Sequence, residues 1–197
     1  MFKQVFCVLF GMLMLSAISH GKSSKIRPST DEDDTNADPI VRKDKNEEFQ
    51  RELLRAQNNL RARHCVSPLQ LDNDLSRRAQ LQAQKLADSN GMSQSRPSDL
   101  GQNMFMKSVF GGRISERIHG DEVANEWYRG GKSYDYNRGG FSMETGSFTQ
   151  LVWKNSKRLG VGIAYTPDGQ TEYVIAYYSP PGNFGNQYRE NVLPANC

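Results

Sequence analysis

Residues 146–156 read Gly-Ser-Phe-Thr-Gln-Leu-Val-Trp-Lys-Asn-Ser, and at this stretch the chain changes character. Before it, apolar residues recur three or four positions apart, which is typical of amphipathic helices. After it, residues 159–165 and 172–178 show the alternation of short strands, and the turn sequence Pro-Asp-Gly at 167–169 joins them into a predicted hairpin. Helices followed by strands favour an α+β domain built in packed layers over a chain of βαβ units.

Two helices are predicted in the first half of the chain. The first begins after Asn46 and ends at His64, and the second can be capped by Asp72 or Asp74 and ends at Gly91. The apolar positions are Phe49, Leu53, Ala56 and Leu60 in the first helix, and Leu75, Ala79, Leu81, Ala83, Leu86 and Ala87 in the second. Each helix is therefore expected to pack one face against a core.

The middle of the chain contains a loop and a third helix. Residues 90–103 are rich in Ser, Asn, Gly and Pro, and we expect an exposed loop there. The third helix is predicted near Asp121, and the pair Gly130-Gly131 stops it. Six of the aromatic residues in and after this helix are candidates for an aromatic ligand groove: Trp127, Phe148, Trp153, Tyr165, Tyr177 and Tyr178. Their periodicity predicts that most belong to the core rather than to an aromatic ligand groove.

The N-terminus predicts export from the cell. Lys3 precedes an apolar run over residues 5–18, so residues 1–21 are expected to be a cleaved signal peptide. The run is shorter than the roughly 20 apolar residues of a membrane span, and an uncleaved anchor is the alternative. Residues 22–46 are polar and charged, which predicts a flexible leader before a single domain over residues 47–197. The mature protein is then extracellular and has no transmembrane segment.

Composition and cysteine content limit the function further. The 197 residues are 37% hydrophobic and 24% charged, as in ordinary globular domains. Lys and Arg number 25 against 22 Asp and Glu, with no compact basic run, so no nucleic-acid partner is predicted. Signal cleavage removes Cys7 and leaves Cys65 and Cys197, which can bridge within one chain, join two chains or stay unpaired.

Five segments resemble the CAP superfamily, which groups cysteine-rich secretory proteins, antigen five and plant pathogenesis-related proteins. Residues 146–156 are similar to the first signature of that family, and residues 178–184, Tyr-Ser-Pro-Pro-Gly-Asn-Phe, are similar to the second. The other matches, in the expected order, are residues 59–64 with Pro68-Leu69, residues 101–103 and residues 127–128. The resemblance covers about residues 48–196, which is the whole predicted domain.

Within the superfamily, the chain is closest to the Golgi-associated plant pathogenesis-related branch. The two share the ending Glu-Asn-Val-Leu-Pro, here at residues 190–194, and a lack of most family cysteines. The acylated N-terminus of that branch has no counterpart in this chain, because Lys3 follows Phe2 where an acceptor glycine is needed. We therefore expect the signal peptide to decide the location.

The resemblance implies a three-layer α-β-α sandwich with a small antiparallel sheet and, in many members, a cleft where two histidines and two glutamates hold zinc. In this chain those four positions fall on Met92, Gln102, Gly130 and Ser147. These residues offer an amide oxygen, a hydroxyl and a soft thioether, which is not a zinc-binding set. We therefore expect no metal, no other cofactor and no catalytic residue, and the four positions become a degenerate cleft that is a candidate ligand-binding site.

Three classes of function are compatible with these residues, and the third of them is a structural or interaction protein that acts through the acidic leader of residues 22–46. The first is a non-catalytic binding protein that contacts a lipid, a sterol or a protein receptor, as the resemblance implies. The second is a protease-like or other hydrolase, which needs a histidine beside a nucleophile such as Ser147. Of the two histidines outside the signal peptide, His64 is expected to bond helix carbonyls and His119 to face solvent, so the binding function is the prediction.

Overall fold

A computed structural model of the chain describes residues 39–91 and 97–196. In chain order its elements are α1 (Pro39–Ala62), β1 (Gln70–Leu71), α2 (Asn73–Asp88), β2 (Gly101–Ser108), α3 (Gly120–Tyr128), α4 (Gly146–Leu151), β3 (Arg158–Tyr165), β4 (Thr171–Ser179) and α5 (Tyr188–Asn191). A 3₁₀ turn over Arg129–Lys132 follows α3, and another over Gly185–Gln187 precedes α5.

The predicted signal peptide, Met92 and Cys197 lie outside the described residues. Among those described, no helix has the length and apolar character of a membrane span.

The strands form one sheet in the order β1-β3-β4-β2. β3 and β4 are the predicted hairpin, β2 is antiparallel to β4, and the short β1 runs parallel to β3. Along β4, the odd-numbered residues from Tyr173 to Tyr177 pack with α2, whereas the even-numbered residues from Val174 to Tyr178 pack with α1, α3 and α4. The sheet therefore lies between two helical layers, which confirms the predicted α-β-α sandwich, and β1 makes the sheet mixed.

Glycines allow α2 to lie directly on β3. A Cβ atom on Gly160 would come within 2.2 Å of the backbone carbonyl carbon of Leu75, and one on Gly162 within 2.3 Å of the backbone nitrogen of Gln80. The helix is held at its start by Asp72, whose side chain accepts hydrogen bonds from two backbone amides of the first turn. Because both obstacles are helix backbone, no residue larger than glycine fits at these two positions.

Side chains complete the outer edge of β3 where β1 stops. The backbone amide of Val161 donates to Ser76 Oγ at 3.3 Å, and its carbonyl accepts from Gln50 Nε2 at 3.0 Å. The side chain of Gln80 bonds both the amide and the carbonyl of Ile163. The outward backbone groups of these two strand residues are therefore satisfied by α1 and α2 rather than by another strand.

Three segments differ from what the sequence pattern predicts. α1 begins at Pro39, so residues 39–46, assigned to the leader, are helical; Glu47 pairs with Lys43 and supports this extension. Residues 101–103, assigned to a loop, open β2 because they pair with β4. Leu81, assigned to the core face of α2, is 71% exposed.

The aromatic residues form the core, as predicted. Trp127, Phe148, Trp153, Tyr177 and Tyr178 are each at most 4% exposed. Tyr165 is half-buried and packs against the same cluster as Trp127 and Phe148. The alternative of an open aromatic groove is therefore wrong for this set.

Candidate functional site

The structure brings together the segments that carry three of the predicted site positions. Gln102 lies at the start of β2, Gly130 in the 3₁₀ turn after α3, and Ser147 in the first turn of α4. Asn103, the neighbour of Gln102, donates from Nδ2 to the backbone oxygen of Ser147 at 2.9 Å. A Cβ atom on Gly130 would lie 2.5 Å from the backbone oxygen of Glu144, just before α4. The strand, the turn and the helix therefore meet at this place.

The donors present at this place do not fit a zinc ion. Gln102 supplies an amide oxygen, Oε1, that is buried without a hydrogen-bond partner, and Ser147 supplies a hydroxyl. Gly130 supplies no donor, and the carbonyl of Glu144 leaves no room for a side chain there. Zinc sites in proteins use imidazole, thiolate or carboxylate ligands. Within residues 39–91 and 97–196, no group of three such side chains is placed to hold a metal ion.

His64 is a buried structural residue. It is 1% exposed, with Nδ1 2.6 Å from the carbonyl oxygen of Leu193 and Nε2 2.8 Å from the hydroxyl of Tyr128. A carbonyl can only accept, so Nδ1 donates to Leu193 and Nε2 accepts from Tyr128. Burial lowers the pKa of His64. Both ring nitrogens are occupied, so this histidine cannot activate Ser147, and the prediction that it bonds carbonyls of its own helix is wrong.

His119 faces solvent, as predicted. It immediately precedes α3, and its side chain is 63% exposed. Its Nδ1 lies 4.0 Å from Glu52 Oε2 on α1. The histidine is therefore directed to a neighbouring helix rather than to α4, and it gives no support to a serine mechanism at Ser147.

Arg61 of α1 anchors the first signature segment. Its guanidinium donates to the carbonyl oxygens of Leu151 (2.8 Å), Trp153 (2.9 Å) and Ser156 (3.0 Å), and twice to that of Ser67 (2.8 and 3.0 Å). The side chain is fully buried, and burial lowers its pKa to about 10, so it remains charged at neutral pH. The resemblance to the family includes this arginine, but the sequence pattern gives no indication of its partners.

Gln150 joins the two signature segments to each other. Its Oε1 accepts from the amide of Gly182 at 2.9 Å, and its Nε2 donates to Ser156 Oγ at 3.2 Å. That hydroxyl in turn donates to the carbonyl of Pro180 at 2.8 Å. Sequence reasoning missed this role, for which a glutamine inside an apolar run is the available signal. Gln150 and Ser156 thus hold the two signature segments together, and their side-chain hydrogen bonds are made within the fold.

Three large apolar side chains are exposed around the start of α4. Phe141 is 57% exposed, Met143 87% and Phe184 51%. Phe141 packs against Gly146, and Asn183, which precedes Phe184, donates from Nδ2 to the carbonyl of Gly146 at 2.9 Å. We call Phe141, Met143 and Phe184 the apolar rim. Scattered apolar side chains are ordinary on a surface, whereas several gathered at one place indicate an interaction site.

Cys65 is disulfide-bonded. Its predicted partner, Cys197, lies outside the described residues, and the pairing stays a prediction. The backbone amide of Asn196 donates to the carbonyl of Arg63 at 3.0 Å, which supports the pairing because it places the end of the chain beside the end of α1.

Comparison with known proteins identifies the family. The family model for CAP, the cysteine-rich secretory protein family, matches residues 54–178, and the chain belongs to this family. Human Golgi-associated plant pathogenesis-related protein 1 is 39% identical over 157 residues, which cover 77% of this chain and 97% of that protein. Pathogenesis-related protein 1 of Arabidopsis thaliana is 32% identical over 143 residues, which cover 73% of this chain and 83% of that protein.

Solved structures share the fold at low sequence identity. The crystal structure of NaASP2 with Zn²⁺ superposes with a TM-score of 0.55 at 19% identity, over 76% of this chain and 87% of that one. The structure of BmVAL-1 gives a TM-score of 0.57 at 19% identity, over 82% of this chain and 86% of that one. These similarities concern the fold alone.

Proposed function

We propose that this chain is a secreted, non-catalytic binding protein of the CAP family whose partner is a lipid surface. The apolar rim is the observation that carries the proposal. It adjoins Ser147, at a place where Gln102 and Gly130 supply neither metal ligands nor a general base. Ser147 is not activated by either histidine described above. The site is therefore suited to binding a partner through its shape and its surface chemistry.

Two arginines that lie within a few residues of the apolar rim in the sequence, Arg138 and Arg189, favour a lipid over a protein receptor. Arg189 donates from its guanidinium to the carbonyl of Asn137 at 2.9 Å, and Arg138 is exposed next to that residue. Apolar side chains that insert between lipid headgroups, together with cations that meet anionic headgroups, characterise surfaces that bind the membrane interface. Lipids and sterols are also among the partners that the resemblance to the family implies, together with other proteins.

Vesicle sedimentation tests the proposal. We expect the full chain to bind vesicles that contain anionic lipid and sterol, and the combined variant Phe141→Ser, Met143→Ser, Phe184→Ser to bind at least about tenfold more weakly, because each exposed apolar side chain contributes roughly 1 kcal/mol on transfer to lipid. Leu81→Ser is the matched control, since it removes an exposed apolar side chain from α2. Equal binding by the combined variant and the wild type would contradict the proposal.

Two further measurements test the absence of catalysis and the secretion. Purified protein is expected to contain no bound zinc and to show no peptidase activity that depends on Ser147 or His119; one equivalent of zinc, or activity lost in Ser147→Ala or His119→Ala, would defeat the proposal. The intact mass of protein from the medium of expressing cells is expected to show a chain that starts near residue 22. A chain that is retained in the membrane and still carries residues 1–21 would contradict the proposal that the protein is secreted.

A further inference from the structure

A second surface, separate from the apolar rim, consists of an open groove between α1 and α2. Its volume is about 750 Å³. α1 contributes Arg42, Lys43 and Arg51 to its lining, and α2 contributes Arg77. We call it the basic groove. Nothing in the predicted function uses this surface.

Positive charge dominates the basic groove. Glu47, the one carboxylate in its lining, lies 3.9 Å from Lys43 Nζ and 3.7 Å from Arg51 Nη1, and such exposed ion pairs are weak. Arg77 pairs with Asp74, which does not line the groove. Four cationic side chains thus face one anionic side chain, so the groove attracts anions even when these pairs are formed.

The floor of the basic groove is closed to an extended peptide. Gln50, Ser76 and Gln80 line it, and all three are bonded to the outer edge of β3. The outward backbone groups of Val161 and Ile163 are therefore occupied, and a peptide cannot add to the sheet here as a further strand.

The lining is also poor in apolar contacts. Of its eleven residues, Leu71 alone is apolar, so the groove offers no series of pockets for peptide side chains or acyl chains. Asn46 and Asn73 place amide groups in the lining, and amides bond hydroxyl groups as donors and as acceptors. These features match a chain that carries both hydroxyl groups and negative charges.

We propose that the basic groove binds a linear sulfated polysaccharide. Sulfate groups pair with Arg51 on one wall and Arg77 on the other, because guanidinium binds tetrahedral oxyanions through paired N–H donors. Hydroxyl groups of the sugar rings bond Asn46 and Asn73. This function is independent of the lipid surface proposed above, since the two surfaces share no residue.

Calorimetric titration of the full chain with a short heparin-derived oligosaccharide tests the proposal. The variant Arg51→Ala, Arg77→Ala is expected to bind at least about tenfold more weakly than the wild type. Both side chains are well exposed, at 65% and 73%, so the variant is expected to fold normally. Lys85→Ala, Lys154→Ala removes the same charge from exposed positions outside the groove and is expected to change the affinity by less than about twofold. Wild-type binding is expected to weaken as salt rises, because salt screens exposed charges.

Four results would overturn the proposal. Equal losses of affinity in both double variants would indicate attraction by total charge, and equal affinity for the desulfated oligosaccharide would show that sulfate is not recognised. Tighter binding of polyglutamate would indicate an acidic protein partner. Displacement of the oligosaccharide by anionic vesicles would indicate that the groove binds a lipid headgroup. The apolar-rim variant separates this test from the earlier one. It is expected to retain oligosaccharide binding while losing vesicle binding.

Discussion

The side chain of Gln80 makes two hydrogen bonds to the backbone of a single residue, Ile163. Its Nε2 donates to the carbonyl at 2.7 Å, and its Oε1 accepts from the amide at 3.1 Å. A glutamine on a helix thus takes the place of a neighbouring strand, and the edge of β3 beyond β1 is not available to another chain. The same contacts form the floor of the basic groove.

Replacing Gln80 tests the energetic weight of this arrangement. Gln80→Leu leaves both backbone groups of the buried Ile163 unpaired, and we expect it to lower the free energy of unfolding by about 2 to 4 kcal/mol. Gln84→Leu is the control, because Gln84 bonds only the exposed side chain of Asp88 one turn later. Urea denaturation measures both. Similar small changes in the two variants would show that the bonds to Ile163 contribute little.

The contact between α2 and β3 predicts that Gly162 cannot be replaced. A methyl group at Gly162 meets the helix backbone at 2.3 Å, so Gly162→Ala is expected to cost about 3 kcal/mol through displacement of α2. Gly112→Ala is the matched control, because a Cβ there has no atom within 4 Å. Thermal unfolding compares the two variants, and a Gly162→Ala protein as stable as the control would refute this account of the helix packing.

The buried Glu172 predicts that the fold loses stability as pH rises through the raised pKa of this carboxyl. Its carboxylate is wholly buried, Lys107 Nζ lies 3.9 Å away, and Tyr165 is its register partner on β3. Burial raises the pKa of Glu172 above its ordinary value of 4.5, while Lys107 opposes the shift and Glu122 adds to it. An acid with a raised pKa in the folded state stabilises the fold fully below its unfolded pKa and loses that contribution as pH rises through the folded pKa.

The variant Glu172→Gln removes this titration. We expect its stability relative to the wild type to be higher at about pH 8 than at about pH 4, measured as the free energy of unfolding. Glu116→Gln, at an exposed carboxylate, is the control and should show no such trend. The same pH dependence in both variants would contradict the prediction.

The buried His64 predicts that the fold loses stability as pH falls. Burial lowers the pKa of His64 below its ordinary value of 6.5, so the unfolded chain takes up the proton first as pH falls. The stability that the neutral ring contributes above pH 6.5 is therefore lost as pH falls through the folded pKa. We expect the wild type to lose stability as pH falls below about 6.5, with the variant His64→Gln lacking this loss and the variant His119→Gln retaining it. If the variant His64→Gln loses as much stability as the wild type when pH falls, another group causes the loss and the prediction is wrong.

The sequence predicts those parts of the fold that depend on local patterns. The hairpin of β3 and β4 follows from alternation around a Pro-Asp-Gly turn, and the cap at Asp72 follows from its position before an apolar repeat. The family motifs add the layer architecture. Each of these signals lies within a few neighbouring residues, so no knowledge of distant contacts is needed.

The remaining features depend on contacts between distant segments. β2 carries Gln, Asn, Lys and Ser among its residues and is a strand because it pairs with β4. α4 is a six-residue helix whose end is held by Arg61, from far earlier in the chain. At the candidate site, the sequence alone shows that Gln102 and Ser147 replace metal ligands. Only the structure shows that the carbonyl oxygen of Glu144 occupies the space that a side chain at Gly130 would need.

The five hydrogen bonds of Arg61 all go to peptide carbonyls, which have no proton to gain or lose in the physiological range. Its own pKa of about 10 keeps it charged at neutral and acidic pH. The hydrogen bonds that connect α1 to the first signature segment are therefore independent of pH in this range. The pH dependence predicted above comes instead from His64 and Glu172, which lie in other parts of the same domain.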